Sequence, residues 1–102
     1  MSQLDLKGRI VWVTGSGRGI GRAIALSLAA HGAHLVLSAR TISDIEAVAQ
    51  EITNQGGQAV AMPCDVRHPD QVKRVVVAGE RTHGPIEVLV NNAGVAIFGK
   101  SD

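Results

Sequence analysis

The sequence predicts an α/β fold built on a doubly wound parallel sheet, and three observations carry that expectation. Short, continuously apolar runs alternate with segments of helical periodicity along the chain. Those runs lack the in-and-out alternation of a half-exposed sheet, so both sheet faces must be covered. The first run, Ile10-Val11-Trp12-Val13, breaks directly into the glycine-rich turn Thr14-Gly15-Ser16-Gly17-Arg18-Gly19-Ile20-Gly21. A buried strand that turns on glycines and restarts as a helix is suited to holding phosphate. Bare backbone N–H groups come close to the ligand, and the helix aims its positive N-terminal end at the same spot.

Each element follows from its own residues. Ile10 to Thr14 reads as a fully buried strand. Ile20 to Ala30 is helical, with Ile20, Ala23, Ile24 and Leu28 as its apolar stripe and Gly32 as its stop. Leu35-Val36-Leu37 is the second strand. Ser43 with Glu46 reads as a capping box that opens a helix striped by Ile45, Val48, Ala49 and Ile52, and Gly56-Gly57 ends it. Ala59 to Met62 is extended again. Pro69 suits the first turn of a third helix, with Val72, Val75 and Val76 facing inward, and Gly84-Pro85 closes it. Ile86 to Val90 makes the fourth strand. Right-handed crossovers then give the strand order 3-2-1-4, with helices flanking both faces. The tail from Val95 to Asp102 finds no partner element. That leaves the outer edge of the Ile86–Val90 strand open, and the expectation is a chain prone to self-association.

Composition narrows the function classes. A chain of 102 residues is one small domain, and an apolar fraction of 45% is ample for a packed core. Trp12 and Phe98 are its only aromatic residues, so the core is aliphatic. Ten basic against nine acidic side chains leave a net charge of +1, which offers no broad footprint for nucleic acid or an anionic membrane. Cys64 is alone and cannot form an internal disulfide, which fits a reducing compartment. The stretch Met1 to Lys7 lacks the apolar core of a signal peptide, and nothing downstream is long enough to span a bilayer. A soluble cytoplasmic protein is the expectation. His31, His34, His68 and His83 have no spacing that gathers metal ligands, and Ser16 and Ser38 belong to no evident Ser/His/Asp set. No metal site is expected. Cys64 reads as a small buried residue, and Trp12 as packing beneath the turn.

Spacing separates the candidates for the glycine turn. A P-loop requires a second glycine where Ile20 stands, and the common dinucleotide pattern G-x-G-x-x-G fails at the same residue. What is present is G-x-x-x-G-x-G, as Gly15, Gly19 and Gly21. Gly15, Gly17 and Gly19 also satisfy the looser G-x-G-x-G of many adenosylmethionine methyltransferases. Those enzymes usually place a carboxylate after the second strand, where this chain has Ala39-Arg40.

Thr14-Gly15-x-x-x-Gly19-Ile20-Gly21, Cys64-Asp65-Val66 and Asn91-Asn92-Ala93-Gly94, in this order and spacing, resemble the short-chain dehydrogenase/reductase family. The resemblance runs from Leu6 to Gly99. It implies a Rossmann-type fold, a nicotinamide cofactor, and hydride exchange between an alcohol and a carbonyl of a small-molecule substrate. Residues 1–102 would then be a single NAD(P)-binding domain, the N-terminal part of such an enzyme without its catalytic half.

One phosphate decides between the two nicotinamide cofactors. An acid about twenty residues past the glycine turn accepts from a free ribose 2′-hydroxyl, whereas an arginine there accommodates a 2′-phosphate. The chain reads Ser38-Ala39-Arg40-Thr41 at that point, so the acid is missing and a guanidinium is present. Arg18, a cation at a helix N-terminus, opposes the helix dipole unless an anion joins it. Basic residues at these two places resemble the family's NADP-preferring pattern, so NADP(H) is expected first and NAD(H) second. The alternative for both arginines is an ordinary solvated surface charge.

By the same resemblance the Asp65 carboxylate accepts from the adenine amino group, with the Val66 backbone assisting. A turn-stabilising aspartate before the Pro69 helix is nearly as good a reading. Asn91, Ala93 and Gly94 resemble the family's cofactor-supporting segment, which keeps side-chain bulk away from the ribose. A plain turn would use the same residues. The family's catalytic serine, its Tyr-x-x-x-Lys pair and its helix asparagine would lie beyond Asp102. The chain contains no tyrosine, and Lys100 has Ala96 four residues before it, so no catalytic residue is assigned. The isolated chain is expected to be inactive, and any homo-oligomer would form through the missing half. A non-catalytic nucleotide-binding module and, more weakly, a methyltransferase-like domain are the alternatives.

Overall fold

The computed structural model describes residues 6–91 and 94–97. Eight elements alternate along the chain: β1 (Ile10–Thr14), α1 (Gly19–Ala30), β2 (His34–Ala39), α2 (Ile42–Asn54), β3 (Gln58–Pro63), α3 (Pro69–Thr82), β4 (Val88–Asn91) and β5 (Gly94–Ile97). They form one sheet in the order β3-β2-β1-β4-β5. The first four strands pair in parallel in the predicted order, with Val13 level with Leu37 on one side and Val90 on the other. All four point their carboxyl ends the same way, so the turn after β1 and the loops after β2 and β3 meet along one edge.

Each sheet face has its own core. Val11, Val13, Leu35 and Leu37 pack against Ala25 of α1 and against Ile45, Val48 and Ile52 of α2. Ile10, Trp12 and Val36 pack on the opposite face with Cys64 and with Val75 of α3. Trp12 is buried there as expected, and its indole Nε1 donates to Ser38 Oγ at 2.7 Å. That bond satisfies two polar groups which burial would otherwise leave costly.

The structure corrects three local expectations. The buried face of α1 is Gly21 and Ala25 with Leu28 beside them, while Ile20 is 78% exposed and Ala23 is exposed too. Small residues win that face because the helix lies too close to the β1 turn for a larger side chain at position 21. No capping box opens α2: its N-cap is Thr41, without a side-chain cap bond, and Ser43 already lies inside the helix. The third correction concerns the edge of β4. Gly94–Ile97 pairs antiparallel with Val88–Asn91, so the main-chain groups expected to be open are bonded. Among the described residues, the outer edge of the sheet on that side is therefore Gly94–Ile97 rather than Val88–Asn91.

Acid should weaken the fold in two stages. Burial pushes the His83 imidazole below its ordinary value, and neighbouring His34 adds to this, while the bond to the Leu35 carbonyl opposes it. The unfolded chain therefore takes up that proton first, and stability declines as pH falls below about 6.5. Asp65 and Glu87 carry carboxyls held low, chiefly by bonds from Arg67 and Arg9 respectively. Their contributions are present above about pH 4 and are lost as pH falls further. Urea melts from pH 7.5 to 5 should show a slope that His83→Gln flattens. Identical slopes in both proteins would contradict the first stage.

Candidate functional site

The carboxyl ends of β1, β2 and β3 open onto a cleft of about 550 Å3. Thr14, Gly15, Gly17, Arg18, Arg40, Asp65 and Val66 line it, so seven of the residues singled out in the sequence come together there. Ala39, Thr41, Asp44, Cys64 and Arg67 complete the lining. No helix among the described residues is long and apolar enough to cross a membrane. Among those residues no group of three or more His, Cys, Asp and Glu side chains could hold a metal ion.

The glycine turn is built by conformation and by close contact. Gly15 and Gly19 have φ of +61° and +55°, a region L side chains rarely adopt. A Cβ at Gly21 would stand 2.2 Å from the Gly15 carbonyl oxygen, so only glycine lets α1 start this close to β1. A Cβ at Gly17 would meet Asp44 Cβ at 2.6 Å, which docks the turn against the first turn of α2. Ser16 is buried, its amide donating to the Ser38 carbonyl at 3.2 Å with its hydroxyl 3.4 Å from the same oxygen. Ser16 therefore anchors the turn to β2 from below.

α1 opens with no side-chain cap and no acid in its first turn. The amides of Gly19, Ile20 and Gly21 precede the first intrahelical bond, Arg22 N to Arg18 O at 3.2 Å, and are left to an outside acceptor. An anion at that end would satisfy them and complement the dipole. The open space beyond Gly19, where a Cβ would meet nothing within 4 Å, admits such a ligand. The turn therefore fits the pyrophosphate of a dinucleotide.

The cleft holds three guanidinium groups in three different states. Arg67 is fully engaged with Asp65: its Nε lies 3.0 and 3.2 Å from the two carboxylate oxygens, and its Nη2 donates to Oδ2 at 2.7 Å. The Arg67 amide donates to Oδ1 at 3.0 Å as well. These bonds hold the Asp65 carboxyl far below the usual carboxylate range. Arg18 donates through Nε alone to Asp44 Oδ2 at 2.8 Å. Arg40 is exposed and makes no hydrogen bond or ion pair among the described residues.

The sequence singled out Arg18, Arg40 and Asp65 but missed Asp44 and Arg67, each of which pairs with one of them. Arg67, two residues past Asp65, was readable as an Asx-turn partner. Asp44 was hidden behind the expected Ser43 cap. Asp65 also stabilises its turn in the manner of the alternative reading, with its amide donating to Gln71 Oε1 at 2.8 Å.

The remaining site residues lie at the rim or outside the described residues. Ile20 projects into solvent at the start of α1. Asn91 ends β4 and pairs in register with Gly94, and the Thr14 hydroxyl lies 3.5 Å from the Val90 carbonyl on the same edge. Ala93 lies outside the described residues.

Residues 9–102 match the family model for short chain dehydrogenase. The chain is 37% identical over 95 residues to the 2,3-dihydro-2,3-dihydroxybenzoate dehydrogenase of Bacillus subtilis, covering 93% of this chain and 36% of that protein. It is 42% identical over 103 residues to the chloroplastic NADPH-dependent aldehyde reductase-like protein of Arabidopsis thaliana, covering 90% and 38% respectively. Among solved structures, a metagenomic short-chain oxidoreductase in complex with NADP superposes with a TM-score of 0.80 at 44% identity, covering 94% of this chain and 43% of that one. The chain thus spans well under half the length of these relatives.

Proposed function

The chain belongs to the short-chain dehydrogenase family, and on that footing we propose that it is the NADP(H)-binding portion of an oxidoreductase that exchanges hydride between an alcohol and a carbonyl. NAD(H) is the second-choice cofactor. When bound, the nicotinamide carries the hydride, and this chain's residues hold the adenosine and pyrophosphate end. The α1 amides take the pyrophosphate, Asp65 and Val66 border the adenine, and Arg18 and Arg40 face the ribose. Asn91 and Gly94, paired across β4 and β5, form the cofactor-supporting edge on the other side of β1. The small-molecule alcohol or ketone, and the groups that move its proton, belong to the remainder of the enzyme on this reading, so the chain by itself binds without turnover.

The observation that carries the NADP(H) assignment is Arg40, a cleft guanidinium with no ion-pair partner among the described residues. Both acids of the same cleft, Asp44 and Asp65, are paired with other arginines, which leaves Arg40 as the lining cation without such a partner among the described residues. A charge-assisted bond from Arg40 to a 2′-phosphate favours NADPH by about tenfold, the low end for a wet site. Calorimetric titration should give that ratio for the wild-type chain, and Arg40→Asp should abolish or reverse it. An unchanged preference in the variant would remove the assignment.

A further inference from the structure

We infer that Asp44 is a positioning residue for recognition of the cofactor's 2′-phosphate: it grips Arg18 by Nε so that the other edge of that guanidinium is presented to the phosphate beside Arg40. The inference rests on the NADP(H) reading above and adds to it a residue with no charge complementary to the ligand.

The contrast between Arg18 and Arg67 carries the argument. Arg67 spends Nε and Nη2 on both oxygens of Asp65 and has little left to offer a ligand. Arg18 is held at one point, Nε to Asp44 Oδ2, and its terminal nitrogens have no partner among the described residues. A guanidinium is a planar fork, so fixing Nε orients the remaining N–H groups as a unit. The Arg18 side chain is 81% exposed, and untethered it would lose rotamer freedom on binding. Prior ordering removes part of that cost.

Asp44 is suited to the task because it is itself fixed. Its side chain is 28% exposed, it sits in the first turn of α2, and its Cβ lies against Gly17 where no side chain would fit. The tether therefore joins two rigid pieces of the site, the glycine turn and the start of α2. Both arginines and Asp44 line the one cleft.

A rival role predicts the opposite sign. If Asp44 were only a competing counter-ion, its removal would free Arg18 and reduce repulsion, and recognition of the phosphate would improve. The probes are 2′,5′-ADP and 5′-AMP, which differ by the 2′-phosphate alone, titrated against this chain. The ratio of their affinities cancels any loss of folded protein common to both. Asp44→Ala should lower the ratio by about three- to tenfold, and Asp44→Asn, which keeps an acceptor for Nε, by less. Asp44→Ala should have no effect on the ratio in an Arg18→Ala background, because the tether has lost its object. A raised or unchanged ratio in Asp44→Ala, or an equal drop in the Arg18→Ala background, overturns the inference. Arg40→Asp run in parallel separates the two levels. If it leaves the ratio unchanged, the NADP(H) reading itself fails. If it collapses the ratio while Asp44→Ala raises it, only the role of Asp44 fails.

Discussion

Gly21→Ala should lower NADPH affinity on the order of a hundredfold, the loss of about two charge-assisted backbone hydrogen bonds. The added Cβ would lie 2.2 Å from the Gly15 oxygen, 2.9 Å from its carbonyl carbon and 3.2 Å from Ser16 Cα. All three are backbone atoms, so no side chain can swing aside to make room. The start of α1 must move away from β1, carrying the Gly19 and Ile20 amides with it, and stability should fall by about 2–3 kcal/mol. Gly56→Ala provides the contrast. Gly56 has a φ of +88° at the far end of α2, with nothing within 4 Å of a built Cβ. That variant should cost about 1 kcal/mol of stability from backbone strain and leave NADPH affinity unchanged. If both variants bind NADPH alike, close approach at residue 21 does not shape the site.

Leu37→Ala should cost about 3–4 kcal/mol, a large share of the roughly 5–15 kcal/mol that holds a small domain folded. Leu37 is fully buried on the inner strand β2, paired in register with Val13 and Ala61, beneath α1 and α2. No neighbouring strand can close a cavity there without breaking a ladder. Ile20→Ala, by contrast, should change stability little, because its side chain already stands in solvent. Urea melts of the two variants should differ by most of the Leu37 effect. Similar losses in both would mean that the apolar face of α1 had been misassigned.

That pair of residues also marks where sequence reasoning ends. Strand order and parallel pairing were legible because uninterrupted runs such as Ile10–Val13 and Leu35–Leu37 admit burial on both faces and little else. The rotation of α1 was not legible, because hydropathy favours Ile20 and Ile24 for the core. The helix is turned instead by a contact between two glycines, Gly15 and Gly21, that periodicity does not record. Pairing of Gly94–Ile97 with β4 was missed for a related reason: four residues carry no periodicity, and the strand is defined by its neighbour.

In the site, glycine spacing located the turn, residue type located Arg18 and Arg40, and the family resemblance pointed to Asp65. Which arginine has a partner depends on distances across loops, as between Arg18 and Asp44. Those distances exist only once α2 has docked on the turn.

Backbone amide chemical shifts of the isotope-labelled chain, followed by NMR during titration with NADPH, report on the grip of the turn itself. Gly19, Ile20 and Gly21 should show the largest saturable shifts, because their amides have no intrahelical acceptor. Ser16, whose amide already donates to Ser38, should move less. Binding that leaves Gly19, Ile20 and Gly21 unmoved, or the absence of any saturable shift in the folded chain, would contradict the assignment of this turn to the pyrophosphate.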